Sequence, residues 1–154
     1  MSFRVVGLAP EKFASLHKLD DDALAAQGAV RVRVKQRHAA PCRISLDDAE
    51  IGEAVILLGF LHQDSATAYR QQGPIFVREG VQQAVHLGEM PPALARRTLS
   101  LRGFDARGTM IEADLVDGKE ANALIGRFFA NSAIAYIHAH YARRGCFAAL
   151  IERA

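Results

Sequence analysis

The sequence predicts an α+β fold: a single domain over residues 1–154, with a mostly antiparallel β-sheet and a few short helices packed on it. Three observations support this fold class. Apolar and basic residues alternate strictly from Val30 to Arg37, as expected for a half-buried strand. A short loop over 106–108 ends in glycine and separates two strand-like segments, which is typical of a β-hairpin. Apolar residues then recur at helical spacing after Asp117.

The first half of the chain is predicted to contain two short helices and four strands. After a strand over 3–8, Pro10 favours the start of a helical segment, and three aspartates at 20–22 favour a second helix N-terminus. The basic strand over 30–37 comes next. A nearly continuous apolar run over 53–62 predicts a central strand covered on both faces. A shorter strand, residues 75–78, follows a polar loop.

The second half is predicted to contain a hairpin, a long helix and a second hairpin. The segment between the two halves is predicted as a loop or helical stretch ending in helical turns over 92–97. Strands over 99–105 and 110–116 form the first hairpin, and Asp117 with Glu120 resembles a helix capping box. The expected last two strands cover residues 133–142 and 146–151.

Composition and charge exclude several classes of protein. Half of the 154 residues are hydrophobic, 23% are charged and the net charge is +2, which is typical of a globular domain. The longest apolar stretch, 54–61, is far shorter than the ~20 residues that span a bilayer as a helix. With no signal peptide evident, we expect a soluble cytoplasmic protein without a membrane partner, with Cys42 and Cys146 reduced.

The most reactive residue types gather near the C-terminus, where we place the candidate catalytic residues His138, His140 and Cys146. Alternation along a strand puts both histidines on one face, together with Tyr136. The hairpin register decides where the thiol lies. A three-residue loop, 143–145, would place Cys146 on the histidine face, whereas a four-residue loop would send it to the opposite face. Glycine at the third loop position favours the first register.

Three interpretations of this cluster stay open. The histidines and Cys146 could share a metal with His62, but a single His-x-His is a weak pattern and we assign no metal ligand or cofactor. Cys146 could be a nucleophile activated by His140 and by the arginines at 143–144. In the third interpretation, the histidines and the cysteine are structural residues. Phosphate-loop, dinucleotide and nucleophile-elbow motifs do not occur in the sequence.

A second candidate cluster is cationic. No acidic residue occurs between Asp22 and Asp47, although five arginines and lysines do. The near-neutral total charge and the lack of a recognised motif argue against nucleic acid, and a solvated strand face or a charge-protected edge is the favoured explanation of this stretch. Convergence of four arginines with Tyr69 would bind a carboxylate or phosphate, and these arginines are Arg43, Arg78, Arg97 and Arg102. The candidate ligand-binding residues are Arg43, His62, Tyr69 and Arg102.

Several segments together resemble a bacterial family known only as domain of unknown function 1203. The segments that carry the resemblance are 41–49, 52–53, 62–63, 69–70, 74–79, 99–105, 136–140 and 145–146. The resemblance implies that the cysteines, Arg43, His62, Arg102 and both C-terminal histidines are family-typical. Tyr141 is a departure, because the family favours asparagine after the second histidine. The resemblance implies no established catalytic residue, cofactor or substrate.

The function is therefore predicted only in outline. We expect a small molecule, with anions as candidates, to be bound or transformed at the histidine and cysteine cluster of the C-terminal hairpin. The alternative is a non-enzymatic interaction module, such as a homodimer formed through an exposed strand edge or apolar face.

Overall fold

A computed structural model describes residues 2–154 and shows two antiparallel β-sheets with a few short helices. The predicted α+β class is confirmed. Within these residues the strands are β1 (Phe3–Val6), β2 (Val30–Arg33), β3 (Ala54–Gln63), β4 (Gln71–Arg78), β5 (Val85–Leu87), β6 (Thr98–Phe104), β7 (Met110–Asp117), β8 (Tyr136–Tyr141) and β9 (Phe147–Arg153). The α-helices are α1 (Asp21–Ala26), α2 (Pro92–Ala95) and α3 (Ala121–Ala130), with 3-10 turns at Pro10–Lys12, Leu16–Lys18 and Gly118–Glu120.

The strands form a larger and a smaller sheet. The six-stranded sheet has the order β5-β1-β9-β8-β6-β7, and the three-stranded sheet has the order β2-β3-β4. All strand pairs within both sheets are antiparallel. The β8 strand therefore lies inside the larger sheet, between β6 and β9.

Helix α3 covers one face of the larger sheet. Its buried stripe, which includes Leu124, Ile125 and Phe128, joins a cluster with Leu101 and Ile137 from the sheet. The predicted stripe is confirmed, because apolar residues three and four positions apart share one side of a helix. Asp117 precedes the helix as predicted and accepts a hydrogen bond from the Lys119 backbone at 3.0 Å, although a 3-10 turn separates it from α3.

An irregular segment, residues 41–48, connects the two sheets. The Arg43 backbone donates to Phe76 of β4 at 3.0 Å and accepts from Leu8, which follows β1, at 2.8 Å. Gly7 makes a close approach possible, because a Cβ atom there would lie 2.1 Å from the Ile44 carbonyl oxygen. This segment fixes the distance between the sheets.

Several strand predictions differ from the structure. Strand β2 ends at Arg33 instead of residue 37, since Val34 bonds to the backbone of the turn before β3. Strand β4 starts at Gln71, earlier than predicted, and residues 85–87 form β5 where a loop or helical stretch was expected. The predicted cover on both faces of β3 is wrong, because several of its residues are half-buried or exposed.

Two glycine substitutions test how closely the backbone is packed around Gly118. At Gly118 a Cβ atom would lie 2.0 Å from the Leu94 carbonyl oxygen, so Gly118→Ala should lower the free energy of unfolding by about 1–3 kcal/mol. Gly126 lies within α3 with open space around its Cα, so Gly126→Ala should raise that energy by up to about 1 kcal/mol. Urea unfolding of both variants measures the difference, and equal stabilities would contradict the close approach at Gly118.

Candidate functional site

The two C-terminal histidines lie on the face of the larger sheet that is opposite α3. His138 pairs with Arg102 of β6, and His140 pairs with Ser100. Side chains of directly paired residues share a face, so these four side chains point the same way. The neighbouring Ile137 and Ala139 belong to the core on the other face. The predicted alternation is confirmed, although β8 covers 136–141 and not the expected 133–142.

His62 reaches this face from the smaller sheet. It lies near the end of β3, with ring centroids 5.0 Å from His140 and 6.1 Å from His138. The adjacent Gln63 hydrogen-bonds the Tyr136 hydroxyl at 2.9 Å and links the two sheets at this point. We call His62, His138 and His140 the histidine cluster. It lies where the sheets meet.

Phe147 forms the apolar wall of the histidine cluster. Its ring stacks on His62 at 5.2 Å and meets the edges of both other imidazoles. A register shift in the last hairpin places it there: His140 pairs with Phe147, but Ala139 pairs with Ala149. The extra residue forms a β-bulge, a feature that redirects side chains near functional sites.

The predicted three-residue loop of the last hairpin is wrong. The Tyr141 backbone donates to the Cys146 carbonyl at 2.9 Å, which makes 142–145 a four-residue loop. Gly145 adopts a φ of 80°, a left-handed conformation that favours glycine. Because Cys146 pairs with Tyr141 and not with Ala142, its thiol is directed away from the His140 side of the strand.

The loop fixes the tautomer of His140. Its Nδ1 lies 2.9 Å from the Gly145 carbonyl oxygen. A carbonyl only accepts hydrogen bonds, so Nδ1 carries the proton and Nε2 of the neutral ring offers a lone pair. We find no partner for that Nε2 among the hydrogen bonds of residues 2–154. His140 is thus oriented as an acceptor toward any molecule at the cluster.

Burial keeps the histidine cluster uncharged. Burial lowers the pKa of His138 to about 3, with smaller contributions from His140, His62 and Arg102. The pKa of His140 also falls to about 3, chiefly through burial and against the opposing hydrogen bond from Gly145. The pKa of His62 is lowered by burial as well. At neutral pH the cluster therefore consists of neutral rings.

Two buried nitrogens of the cluster lack partners. The Nδ1 atoms of His62 and His138 are buried, and the described residues supply no hydrogen bond to either. Native structures rarely leave buried polar atoms unpaired, and such atoms often indicate a role beyond packing. His138 also borders an open pocket of about 560 Å³. The pocket is lined by Arg4, Ala135, Tyr136, His138, Leu150, Glu152 and Arg153.

Arg102 contributes the positive charge next to the histidine cluster. Its guanidinium donates to two neutral oxygens, at 3.3 Å from Ser100 Oγ and 3.4 Å from Gln71 Oε1. Gln71 Oε1 also lies 3.2 Å from His62 Nε2 and so connects both side chains. Burial lowers the pKa of Arg102. Within residues 2–154 we find no carboxylate in salt-bridge contact with Arg102.

The other predicted site residues lie in two separate places. Tyr69 is exposed and meets the edge of Phe104, whose ring lies 5.0 Å from that of His138. The Phe104 ring thus lies between Tyr69 and the cluster. Arg43 is buried at the end of the last hairpin, where Cys146 also lies, with its guanidinium 5.0 Å from the Tyr141 ring. The structure thus separates the predicted residues into two groups.

The remaining arginines that were considered for anion binding have acidic partners. Arg97 and Arg96 both bind the buried Asp48, at 2.7 and 2.5 Å, and Arg78 binds Glu53 at 3.2 Å. The basic stretch is not one free surface either, because Arg31 binds Asp21. These side chains hold segments together, and they do not converge with Tyr69.

Sequence reasoning missed the polar contacts around the histidine cluster. Gln71 was assigned to a loop because β4 starts earlier than the apolar pattern indicates, and Phe147 depends on a bulge that no local signal announces. In the described chain, no group of three or more histidine, cysteine or acidic side chains has the arrangement needed for a metal ion.

The fold and the site together define an α+β protein with a neutral histidine cluster between two sheets. A family described as a protein of unknown function, DUF1203, matches residues 39–153. The match covers well over half of the chain, so the chain belongs to the DUF1203 family, as its resemblance predicted. Neither the curated proteins nor the solved structures contain a match. Among the described residues, no helix is long and apolar enough to cross a membrane.

The low pKa values predict that acid destabilises the protein through its histidines. Unfolded histidines take up protons near pH 6.5, whereas His138 and His140 do so only near pH 3 when folded. The unfolded state therefore binds more protons between these values. The contribution of these histidines to the free energy of unfolding is fully present above pH 6.5. It falls as the pH drops, by up to about 1.4 kcal/mol per pH unit for each histidine.

The variant His138→Phe isolates this effect. It removes one buried titrating group and one unpaired nitrogen while keeping an aromatic ring among Phe104 and Phe147. Urea unfolding between pH 7.5 and 5 should show a flatter dependence of stability on pH than the unchanged protein shows. An identical slope for both proteins would contradict the neutral state of His138.

Proposed function

We propose that the protein binds a small anionic molecule at the histidine cluster, with Arg102 as the cationic contact. The observation that carries this proposal is a half-buried guanidinium that faces three neutral imidazoles and has no carboxylate partner in the described chain. Arginine binds carboxylates and phosphates through paired, charge-assisted hydrogen bonds. An oxyanion would supply the missing partner.

The charge balance of the site supports an anion. His62, His138 and His140 stay neutral because burial disfavours their protonated forms, so they add no positive charge of their own. Arg43 also acts on His140, but Arg102 is the cation that lowers the pKa of all three rings. A ligand with a single negative charge would neutralise it, whereas a cation would meet repulsion.

The tautomer of His140 further restricts the class of ligand that the proposed site would bind. Its Nε2 is an acceptor, because Nδ1 donates to the Gly145 carbonyl. A ligand that carries a hydroxyl group beside its anionic group would donate to Nε2 while its oxyanion accepts from Arg102. Hydroxycarboxylates and hydrogen phosphate meet both conditions. A simple carboxylate meets only the second.

The proposal concerns binding, and Cys146 is not part of this site. Its thiol is directed to the other side of the hairpin by the pairing with Tyr141. The predicted ligand-binding residues His62, Tyr69 and Arg102 fit the proposal, as do His138 and His140. Arg43 belongs with Cys146 at the hairpin end.

A titration with glycolate and acetate tests this site. In protein labelled with ¹⁵N-histidine, glycolate should shift the ring signals of the cluster and bind more tightly than acetate. The free protein should show His140 protonated at Nδ1. Arg102→Gln should weaken glycolate binding roughly 10- to 100-fold, as expected for a lost hydrogen bond to a charged group.

The matched control is Arg107→Gln, which removes an exposed arginine from the loop between β6 and β7 and should leave binding unchanged. Circular dichroism of both variants confirms that they are folded. Equal glycolate affinity for Arg102→Gln and the unchanged protein would contradict the proposal. So would ring shifts confined to the histidines outside the cluster.

Self-association stays a prediction with one supporting observation. The outer strands of the larger sheet carry exposed apolar side chains, such as Leu87, which is 68% exposed, and Leu115, which is 65% exposed. Outer strands are common sites of pairing between chains. Light scattering after size exclusion measures the mass in solution, and a strict monomer at high concentration would contradict a homodimer.

A further inference from the structure

The end of the last hairpin contains a buried cation without an acidic partner. Arg43 is only 2% exposed. Its Nε donates to the Phe147 carbonyl at 2.7 Å and its Nη1 to the Pro41 carbonyl at 2.5 Å. We find no carboxylate in salt-bridge contact with it among residues 2–154. A buried charge without a counter-ion is expensive, so the chemistry of its neighbours matters.

The neighbours of Arg43 are thiols and a phenol. Burial lowers the pKa of Arg43, and Tyr141, Cys146 and Cys42 oppose that change. The backbone geometry agrees. Cys146 pairs directly with Tyr141, over whose ring the guanidinium lies at 5.0 Å, and paired side chains share one side of a hairpin.

Tyr141 adds an unused hydrogen-bond donor. The residue is 6% exposed, and its buried hydroxyl has no hydrogen-bond partner in the described chain. Burial raises the pKa of Tyr141 to about 12, so the phenol stays protonated at neutral pH and can donate. Arg97 lies on the same ring at 5.1 Å but is already bound to Asp48. Tyr141 thus offers an unpaired donor beside the Arg43 guanidinium and the thiol.

We propose that Cys146 is a peroxide-reactive thiol whose oxidised form, a sulfenate, is held by Arg43 and the Tyr141 hydroxyl. Cys146 is free and partly accessible, whereas Cys42 is buried. Accessible thiols next to cations are the cysteines that peroxides oxidise first.

The reaction balances with a hydroperoxide as oxidant. The Cys146 sulfur attacks one peroxide oxygen, so that an S–O bond forms and the O–O bond breaks. The departing oxygen takes up a proton and leaves as water or an alcohol. Sulfur is oxidised by two electrons and the peroxide is reduced by two. The sulfenate oxygen then accepts a hydrogen bond from the Tyr141 hydroxyl, which was unpaired before, and lies beside the Arg43 guanidinium.

The experiment compares the same thiol in two states of the full-length chain. Hydrogen peroxide is added to the native protein and to protein denatured in urea, and dimedone captures the sulfenate for mass spectrometry. Cys146 should react at least about 10-fold faster in the native protein, while native Cys42 should stay unmodified because it is buried. A disulfide between Cys42 and Cys146 would also support the proposal, because it forms from the Cys146 sulfenate.

Two tyrosine variants distinguish the loss of the proposed Tyr141 hydrogen bond from the general effect of removing a tyrosine hydroxyl. Tyr141→Phe keeps the ring but removes the donor, and should slow oxidation about 2- to 10-fold, the effect of one lost neutral hydrogen bond. Tyr136→Phe removes a hydroxyl from the histidine side and should leave the rate unchanged. Native Cys146 reacting no faster than denatured Cys146 would overturn the proposal, even if Tyr141→Phe failed to fold. Glycolate binding is independent of this result.

Discussion

The pairing register of the β8–β9 hairpin controls what lies on each of its sides. Tyr141 pairs with Cys146 and His140 pairs with Phe147 in one register, and the bulge separates these two pairs from Ala139 and Ala149. The first pairing directs the thiol toward Arg43, and the second brings an aromatic ring to the histidine cluster. A regular hairpin with a three-residue loop would place the Cys146 thiol on the same face as the histidines. Both proposed sites therefore depend on one loop and one extra residue.

Charge compensation distinguishes two buried ionic groups near this hairpin. Burial by itself would raise the pKa of Asp48, but hydrogen bonds and charges from Arg97 and Arg96 lower it overall. Asp48 thus stays ionised and stabilises the fold until acid protonates it. Arg43 has two backbone carbonyls instead of a carboxylate. Neutral acceptors satisfy its hydrogen bonds but not its charge, which is why an anion beside it is favourable.

Local patterns predicted the parts of the fold that depend on neighbouring residues. Alternation placed His138 and His140 on one face, and helical spacing identified the buried stripe of α3, because both depend only on chain periodicity. The approach of His62 to His140 joins two sheets and has no local signal. The hairpin register was also mispredicted, since Gly145 suits the last position of a three-residue or a four-residue loop.

The two clusters are close in the chain but chemically separate, and residues 145–147 connect them. The Gly145 carbonyl accepts from His140, the Cys146 thiol lies by Arg43, and the Phe147 carbonyl accepts from Arg43 while its ring stacks on His62. Any change in loop length would therefore disturb both clusters at once. Arg102 and the Tyr141 hydroxyl lie outside this shared segment. Their substitution alters one cluster while leaving the backbone contacts of the other in place.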